Sequence, residues 1–218
     1  MKIFNHIMVL SLTALMLLSC GSQSKTYMPT NEGLTLTYNI DGNFETTMQY
    51  FKTRDLEGEK VIPMKIEQEG MISFLFYQKD KKGLKLYATQ LPNAPQPILV
   101  GNDKYKYYEP IKAGQTWEQN YTTTLMMAKE EVPMVYEIKK EKETITVAAG
   151  TFEDCLKISG RGNIQREKGL WGTITLQVNI DEWYAPEIGL IKSVTHREAD
   201  HVMVGEETTI MQLSAYEK

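Results

Sequence analysis

The stretch TITLQVNI, residues 173–180, alternates strictly between polar and apolar side chains. Its apolar members are Ile174, Leu176, Val178 and Ile180. Successive side chains of a β-strand point to opposite faces, so these four would line one face and the polar four the other. The period of two predicts a strand that lies between a core and water.

The same alternation recurs on both sides of this stretch. LTLTYNI, residues 34–40, ends at Asp41-Gly42, which is a hairpin-type turn. Further strands are predicted near residues 44–53, 61–68, 71–78, 84–89, 115–128, 133–140, 143–148, 154–165, 170–184, 188–197 and 204–215. Apolar residues follow helical spacing for no more than about two turns, and LMMAKEE at 125–131 is the best helical candidate.

We therefore expect a nearly all-β protein, in which about ten strands form a curved antiparallel meander, a half-barrel or an open barrel. Residues 33–218 would make a single β domain. The stretch 91–114 contains four prolines and is expected to be a long ordered loop that passes over the sheet. Gly160-Arg161-Gly162 is interpreted as a turn.

The N-terminus has the pattern of a secretory signal peptide over residues 1–19. Lys2 is followed by an apolar run from Ile7 to Leu18, which is shorter than the roughly 20 residues that a spanning helix needs. The run ends in Leu17-Leu18-Ser19-Cys20, which resembles the lipobox of bacterial lipoproteins. In those proteins the peptide is cut before the cysteine, and the cysteine carries the lipid.

The resemblance implies that Cys20 is the lipidated first residue. The polar, turn-rich composition of the residues that follow predicts that 20–32 form a tether to the domain. Gly21 follows the cysteine in place of the aspartate that retains enterobacterial lipoproteins in the inner membrane. The resemblance therefore implies a lipid-anchored protein of the bacterial envelope. Its anchor would lie in the outer membrane, and its domain would face the periplasm. An ordinary cleaved signal peptide with an incidental cysteine is the alternative.

Composition excludes several classes of partner. The 218 residues contain 24 Lys and Arg against 28 Asp and Glu, with a net charge of −4, and no basic run occurs. Nucleic acid binding needs a surplus of cations on at least one face, so none is expected. With Cys20 modified, Cys155 has no partner in the chain, and we interpret it as a buried structural thiol.

Three segments resemble uncharacterised bacterial lipoproteins with a lipoprotein-carrier-like (LolA/LolB-like) half-barrel. They are Tyr27-Met28-Pro29 with Gly33 and Tyr38, then AGTFEDC at 149–155, then WYAP at 183–186 with IGLIK at 188–192. The resemblance implies a fold and not a site. The carriers hold acyl chains in the mouth of the half-barrel beneath short helices, and this sequence has no clear helix to form such a lid.

No catalytic motif, metal site or cofactor site is indicated, so we expect no enzyme and no cofactor. His196 and His201 could face each other only if the residues between them formed a hairpin loop. A strand continuing to Gly205 would put the two rings on opposite faces. Adjacent carboxylates such as Glu130-Glu131 point apart along a strand, although distant strands could still bring carboxylates together.

An apolar ligand site is the leading functional hypothesis. MISFLFY at 71–77 is apolar on both faces, which requires one face in the core and the other against a ligand or a covering segment, for which 91–114 is the candidate. Methionine-rich surfaces adapt to flexible apolar ligands, and the packing of a closed core is the alternative explanation of the same residues. The candidate ligand-binding residues are Met71, Phe74, Leu75, Phe76, Trp117 and Met126. The alternative is a non-enzymatic module that docks to an outer-membrane protein or envelope assembly.

The lipobox makes a direct prediction for Cys20. Replacing Cys20 with serine should leave the protein either uncut or cleaved and free of the membrane, because the acylated thiol is the anchor. Membrane fractionation combined with the mass of the mature chain checks this outcome. A Cys20→Ser protein that is cleaved and still membrane-bound would contradict it.

Overall fold

The computed structural model of the protein describes residues 26–100, 105–108 and 111–218. Within these ranges the chain is almost entirely β-structure, with one short 3-10 helix at Gly169–Trp171. The strands are β1 (Thr35–Ile40), β2 (Phe44–Tyr50), β3 (Arg54–Leu56), β4 (Glu59–Gln68), β5 (Met71–Asp80), β6 (Gly83–Gln90), β7 (Ile98–Leu99), β8 (Tyr105–Tyr108), β9 (Thr116–Leu125), β10 (Ala128–Val147), β11 (Gly150–Glu167), β12 (Thr173–Ala185), β13 (Gly189–Ala199) and β14 (Glu206–Glu217). The predicted all-β class is confirmed.

The strands form one antiparallel sheet in the order β7-β6-β5-β4-β2-β1-β14-β13-β12-β11-β10-β9, with β3 on β4 and β8 on β6. Hairpins join most neighbours, as a meander requires. The first and last strands pair in the middle, where Thr35 lies opposite Glu217. The sheet is not closed into a barrel, which confirms the open half-barrel.

The described chain contains more strands than were predicted from the sequence, and one segment predicted as a possible helix is a turn. Short strands β3, β7 and β8 carry too few residues for a period of two to be visible, and the two strands predicted over 133–148 are one strand, β10. The helical candidate is wrong, since Leu125 pairs with Ala128 and Met126-Met127 makes the hairpin turn between β9 and β10.

Aromatic rings bring the two edges of the sheet together where backbone hydrogen bonds do not. Tyr105 and Tyr108 on β8 stack with their ring centroids 4.8 Å apart. Tyr108 meets Trp117 of β9 edge-on at 5.9 Å, and Trp117 stacks on Tyr136 of β10 at 5.4 Å. We call these four residues the aromatic seam. Such ring pairs stabilise a contact beyond the area that they bury.

Gly160 makes room for this seam. The predicted turn at 160–162 is wrong, because these residues lie inside β11. Gly160 pairs with Tyr136, and a Cβ at position 160 would lie 2.6 Å from Cε1 of the Tyr136 ring. The missing side chain therefore leaves room for the Tyr136 ring, which stacks on Trp117, its cross-strand partner on β9.

The two faces of β5 have different covers. Phe76 is fully buried with Val61 on the outer face. That face is covered by residues 51–56, because the Phe51 ring lies 6.5 Å from the Phe74 ring and the Arg54 guanidinium lies 4.9 Å from the centre of the Phe76 ring. The segment expected to cover it, 91–114, contributes β7 and β8 to the edge at β6 instead.

The start of the described chain is packed into the domain. Tyr27, Met28 and Pro29 are buried, although the composition assigned them to the tether. The Thr26 amide donates to the Glu187 carboxylate at 2.9 Å, and the Glu187 amide donates to the Thr26 carbonyl at 2.8 Å. Cys20 and the signal segment lie outside the described residues. No helix of the described ranges is long and apolar enough to span a bilayer.

Cys155 is a buried thiol, as predicted. None of its surface is exposed, and its sulfhydryl donates to the Phe152 carbonyl at 3.2 Å. Burial raises the pKa of the Cys155 thiol, which keeps it in the unreactive protonated form.

We predict that Gly160→Ala destabilises the fold by about 2–3 kcal/mol, because the new methyl group forces the Tyr136 ring out of the seam. Urea denaturation measures the loss. Combining Gly160→Ala with Tyr136→Leu should recover part of that cost, since the shorter side chain frees the space. Costs that simply add in the double variant would contradict a clash between these two residues.

Candidate ligand-binding cavity

The concave face of the half-barrel contains a cavity of about 230 Å³. Strands β1, β2, β4, β5, β6, β12, β13 and β14 contribute to its wall, and Lys106 of β8 and the segment at Met28 and Pro29 close it. The aliphatic and methionine side chains of its lining are Met28, Leu36, Met48, Met64, Ile66, Leu75, Leu84, Ile188, Leu190 and Met211. The apolar cavity is therefore covered by extended segments where the carrier proteins use helices.

Methionine supplies four of these ten apolar side chains, as many as leucine. Met28 and Met64 are buried, whereas Met48 and Met211 are partly buried beside them. Unbranched thioethers adopt many rotamers and fit irregular guests, so this lining adapts to a flexible apolar chain more readily than branched side chains would.

One side of the apolar cavity carries a pair of opposite charges. The Glu182 carboxylate accepts a hydrogen bond from the Tyr184 hydroxyl at 2.6 Å through one oxygen. Its other oxygen lies 3.3 Å from Nζ of Lys106, and the Glu182 side chain is 16% exposed. These two hydrogen-bond partners replace part of the hydration that the buried carboxylate loses. The pair thus supplies a fixed polar point beside an apolar wall.

Tyrosine hydroxyls surround Glu182. The Tyr38 hydroxyl donates to the Leu190 carbonyl at 2.8 Å. The hydroxyls of Tyr50 and Tyr77 have no hydrogen-bond partner among the described residues, so each keeps a donor that a guest or water can use. Burial raises the pKa of Tyr50 to about 12 and raises the pKa of Tyr77 further, with the Tyr50 and Glu182 charges adding to the effect at Tyr77.

A second compartment of about 310 Å³ adjoins the apolar cavity and shares Lys106 and Glu182 with it. Amide and hydroxyl side chains line it, together with seam rings Trp117 and Tyr136. The polar members are Gln119, Asn120, Tyr121, Thr122, Ser193 and Thr195. The charged pair therefore stands at the boundary between an apolar cavity and a polar compartment.

The Trp117 indole lines the polar compartment with an unused donor. Its Nε1 atom is buried and has no acceptor among the described residues. Buried donors are almost always hydrogen-bonded in native proteins. An acceptor on a bound molecule would satisfy this one.

The structure brings only two of the predicted ligand-binding residues to the site. Leu75 lines the apolar cavity, and Trp117 lines the polar compartment. Phe74 and Phe76 point to the outer face of β5.

The other two predicted residues lie at the ends of hairpins. Met71 is 55% exposed at the start of β5, next to the β4–β5 turn. Met126 lies in the β9–β10 turn, where it packs against the core cluster that includes Leu125 and Val132. Neither residue belongs to the lining of the two compartments.

Sequence reasoning missed Glu182, Tyr184 and Lys106. A signal for the first two was present, because positions 182 and 184 continue the apolar face of 174–180, and a carboxylate in such a register is unexpected. Nothing in the sequence marked Lys106, since it reaches the cavity only when the sheet curls.

The two histidines do not form a site. His196 lies on β13 with its Nδ1 atom 3.0 Å from the Thr208 hydroxyl and 3.7 Å from the Glu206 carboxylate. His201 lies in the β13–β14 turn, edge-on to the Trp171 ring at 5.7 Å. Within the described ranges no three His, Cys, Asp or Glu side chains are grouped as metal ligands would be.

Comparison with known proteins identifies a family for half of the chain. The family model described as DUF3108-like matches residues 99–207, which run from β7 to the start of β14 and include Lys106 and Glu182. No curated protein matches the chain.

Two solved structures are similar to this chain. One is described as an exported protein with a YmcC-like fold from Bacteroides fragilis, at 16% identity and a TM-score of 0.44, and covers 89% of this chain and 100% of its own. The other is described as a lipoprotein from Parabacteroides distasonis, at 15% identity and a TM-score of 0.38, and covers 88% of this chain and 99% of its own. The resemblance to lipoprotein carriers is not confirmed by these comparisons.

The buried tyrosines predict a loss of stability in alkali. Tyrosine in an unfolded chain has a pKa near 10. Because folding raises the pKa of Tyr50 to about 12 and that of Tyr77 further, the contribution of these two residues to the free energy of unfolding should be fully present below pH 10 and fall as the pH rises from 10 to 12.

Urea denaturation at several pH values measures this fall. Replacing both Tyr50 and Tyr77 with phenylalanine should make the fall shallower, because two of the groups that ionise on unfolding are gone. If the free energy of unfolding had the same pH dependence in the wild type and the double variant, Tyr50 and Tyr77 would not be the source of the fall.

Proposed function

The chain belongs to the DUF3108-like family, and we propose that it is a non-catalytic lipoprotein of the bacterial envelope that binds an amphipathic single-chain ligand inside its half-barrel. The apolar chain of the ligand would occupy the apolar cavity and its head the polar compartment. The observation that carries the proposal is the boundary, where Lys106 and Glu182 belong to both compartments.

The size of the apolar cavity fits a chain of medium length. An engineered apolar cavity of about 150 Å³ holds benzene, so a volume of about 230 Å³ holds about nine carbons. Burying that many carbons is worth roughly 7 kcal/mol at about 0.8 kcal/mol for each. This corresponds to a Kd of about 10 μM before the cost of association, so the chain alone gives modest affinity.

The polar compartment offers the groups that would bind the polar head of the ligand. Amide and hydroxyl groups, the Trp117 indole and the hydroxyls of Tyr50 and Tyr77 offer donors and acceptors on either side of the charged pair. Polar groups of this kind in a mainly apolar site fix the orientation of a ligand. A ligand with a hydrogen-bonding head therefore fits better than a plain hydrocarbon.

The proposed location follows from the lipobox. Lipid on Cys20 would hold the protein at a membrane while the half-barrel stays in water, and Gly21 favours the outer membrane with the domain in the periplasm. Several acyl chains make such an anchor stable, where one chain binds only marginally.

Isothermal titration calorimetry with decanoic acid tests the binding proposal. We expect saturable binding to the wild type, with a Kd between micromolar and millimolar. Leu75→Trp should weaken binding at least tenfold, because the indole would fill the apolar cavity that Leu75 lines.

Ile72→Trp is the matched control, since it places the same side chain on the outer face of the same strand. It should bind decanoic acid as the wild type does. Equal binding by both variants would place the ligand elsewhere. No binding to a folded wild type would overturn the ligand proposal and favour the docking module.

A further inference from the structure

Five apolar side chains are exposed to solvent at one end of the sheet. Their exposed fractions are 97% for Met127, 103% for Leu170, 50% for Trp171, 94% for Val202 and 64% for Met203. We call these five the tip row. Large apolar groups exposed together usually mark an interaction site.

The topology puts the tip row on three neighbouring turns. Met127 lies in the β9–β10 turn, Leu170 and Trp171 lie in the β11–β12 turn, and Val202 and Met203 lie in the β13–β14 turn. These turns share one end of the sheet, because the intervening β10–β11 and β12–β13 turns lie at the other end. Turns two strands apart are about 10 Å apart, so the row is a continuous edge.

The turns do not need these side chains for their own geometry. Gly169 and Gly172 have φ of 60° and 72° and supply the left-handed positions around Leu170 and Trp171. Met126 and Met127 have φ of 51° and 65°, in a two-residue turn where asparagine and glycine are the usual residues. Methionine at these angles is unfavourable, so its presence at an exposed turn calls for a reason outside the turn.

The tip row is small and neutral. It has five side chains on separate protruding turns, whereas a stable protein interface uses about 20–30 residues a side. None of the five carries a charge, and the two basic groups at the end of β11 are already paired, since Glu130 accepts from Arg166 at 2.6 Å and from Lys168 at 2.7 Å. An occupant therefore has to accommodate separate apolar tips, one of them a tryptophan, without being attracted by charge.

We propose that the tip row inserts into the surface of a phospholipid bilayer. A bilayer deforms around separate tips, buries leucine, valine and methionine, and holds tryptophan at its interface. The contact between the Trp171 ring and His201 joins two of the turns, so they enter as one unit. This inference does not depend on a ligand in the half-barrel.

The insertion would fix the orientation of the domain if Cys20 is also anchored. Thr26 is bound to Glu187 at the opposite end of the sheet, about 40 Å away along the 13 residues of β12. Residues 20–25 reach only about 20 Å when extended. Both ends can meet one membrane only when the strands are strongly inclined toward its plane.

Quenching of tryptophan fluorescence by brominated phosphatidylcholine tests the proposal on the full chain in vesicles. We expect quenching in the wild type and at least a twofold smaller effect in Trp171→Phe, since Trp117 lies inside the half-barrel and Trp183 is buried. Replacing Met127, Leu170 and Val202 together with serine should reduce the quenching of Trp171 at least twofold. Raising the salt concentration should change little, because no charge attraction is involved.

The serine variant should unfold at the same urea concentration as the wild type, because the replaced side chains are exposed. The test works whether or not Cys20 carries lipid, since each variant shares the same N-terminus. Trp171 that is no more quenched than in detergent would overturn the proposal. Quenching that remains equal in Trp171→Phe would also overturn it, and a crosslink from position 171 to a protein without quenching would assign the row to a protein partner.

Discussion

The edge-on contact between Tyr108 of β8 and Trp117 of β9 joins the two edges of one very long sheet, and Tyr136 supports it by stacking on Trp117. An open antiparallel sheet of so many strands exposes a large apolar face, and twist alone does not bring its edges into register. The aromatic seam supplies that closure without backbone pairing. Because the aromatic seam consists of side chains, the sheet has no backbone hydrogen bonds between β8 and β9. The concave side of the half-barrel therefore stays accessible there.

Both compartments depend on this closure. Lys106 lies on β8 beside the seam, and its ammonium group reaches Glu182 of β12 across the interior. If β8 and β9 parted, the carboxylate would lose this partner, and the apolar cavity would lose the side chain that closes it. Gly160 therefore affects the site from a distance, since its missing side chain lets Tyr136 take its place in the seam.

The alternating residues of 34–40 and 173–180 were sufficient to predict the fold class, because a period of two depends only on local geometry. They could not predict the site in the same way. Leu75 and Phe74 are neighbouring apolar residues, and only the assembled sheet shows that one faces the cavity and the other faces Phe51. Lys106 and Glu182 are 76 positions apart, and their approach is a consequence of curvature.

Native mass spectrometry of the protein purified from its own membrane tests directly whether the half-barrel binds an amphipathic ligand. We expect a bound amphipathic molecule that is released on collisional activation and leaves the intact chain. The same molecule should rebind when the stripped protein meets an extract of that membrane. A folded protein that carries no such molecule, either as purified or after incubation with the extract, would contradict the account.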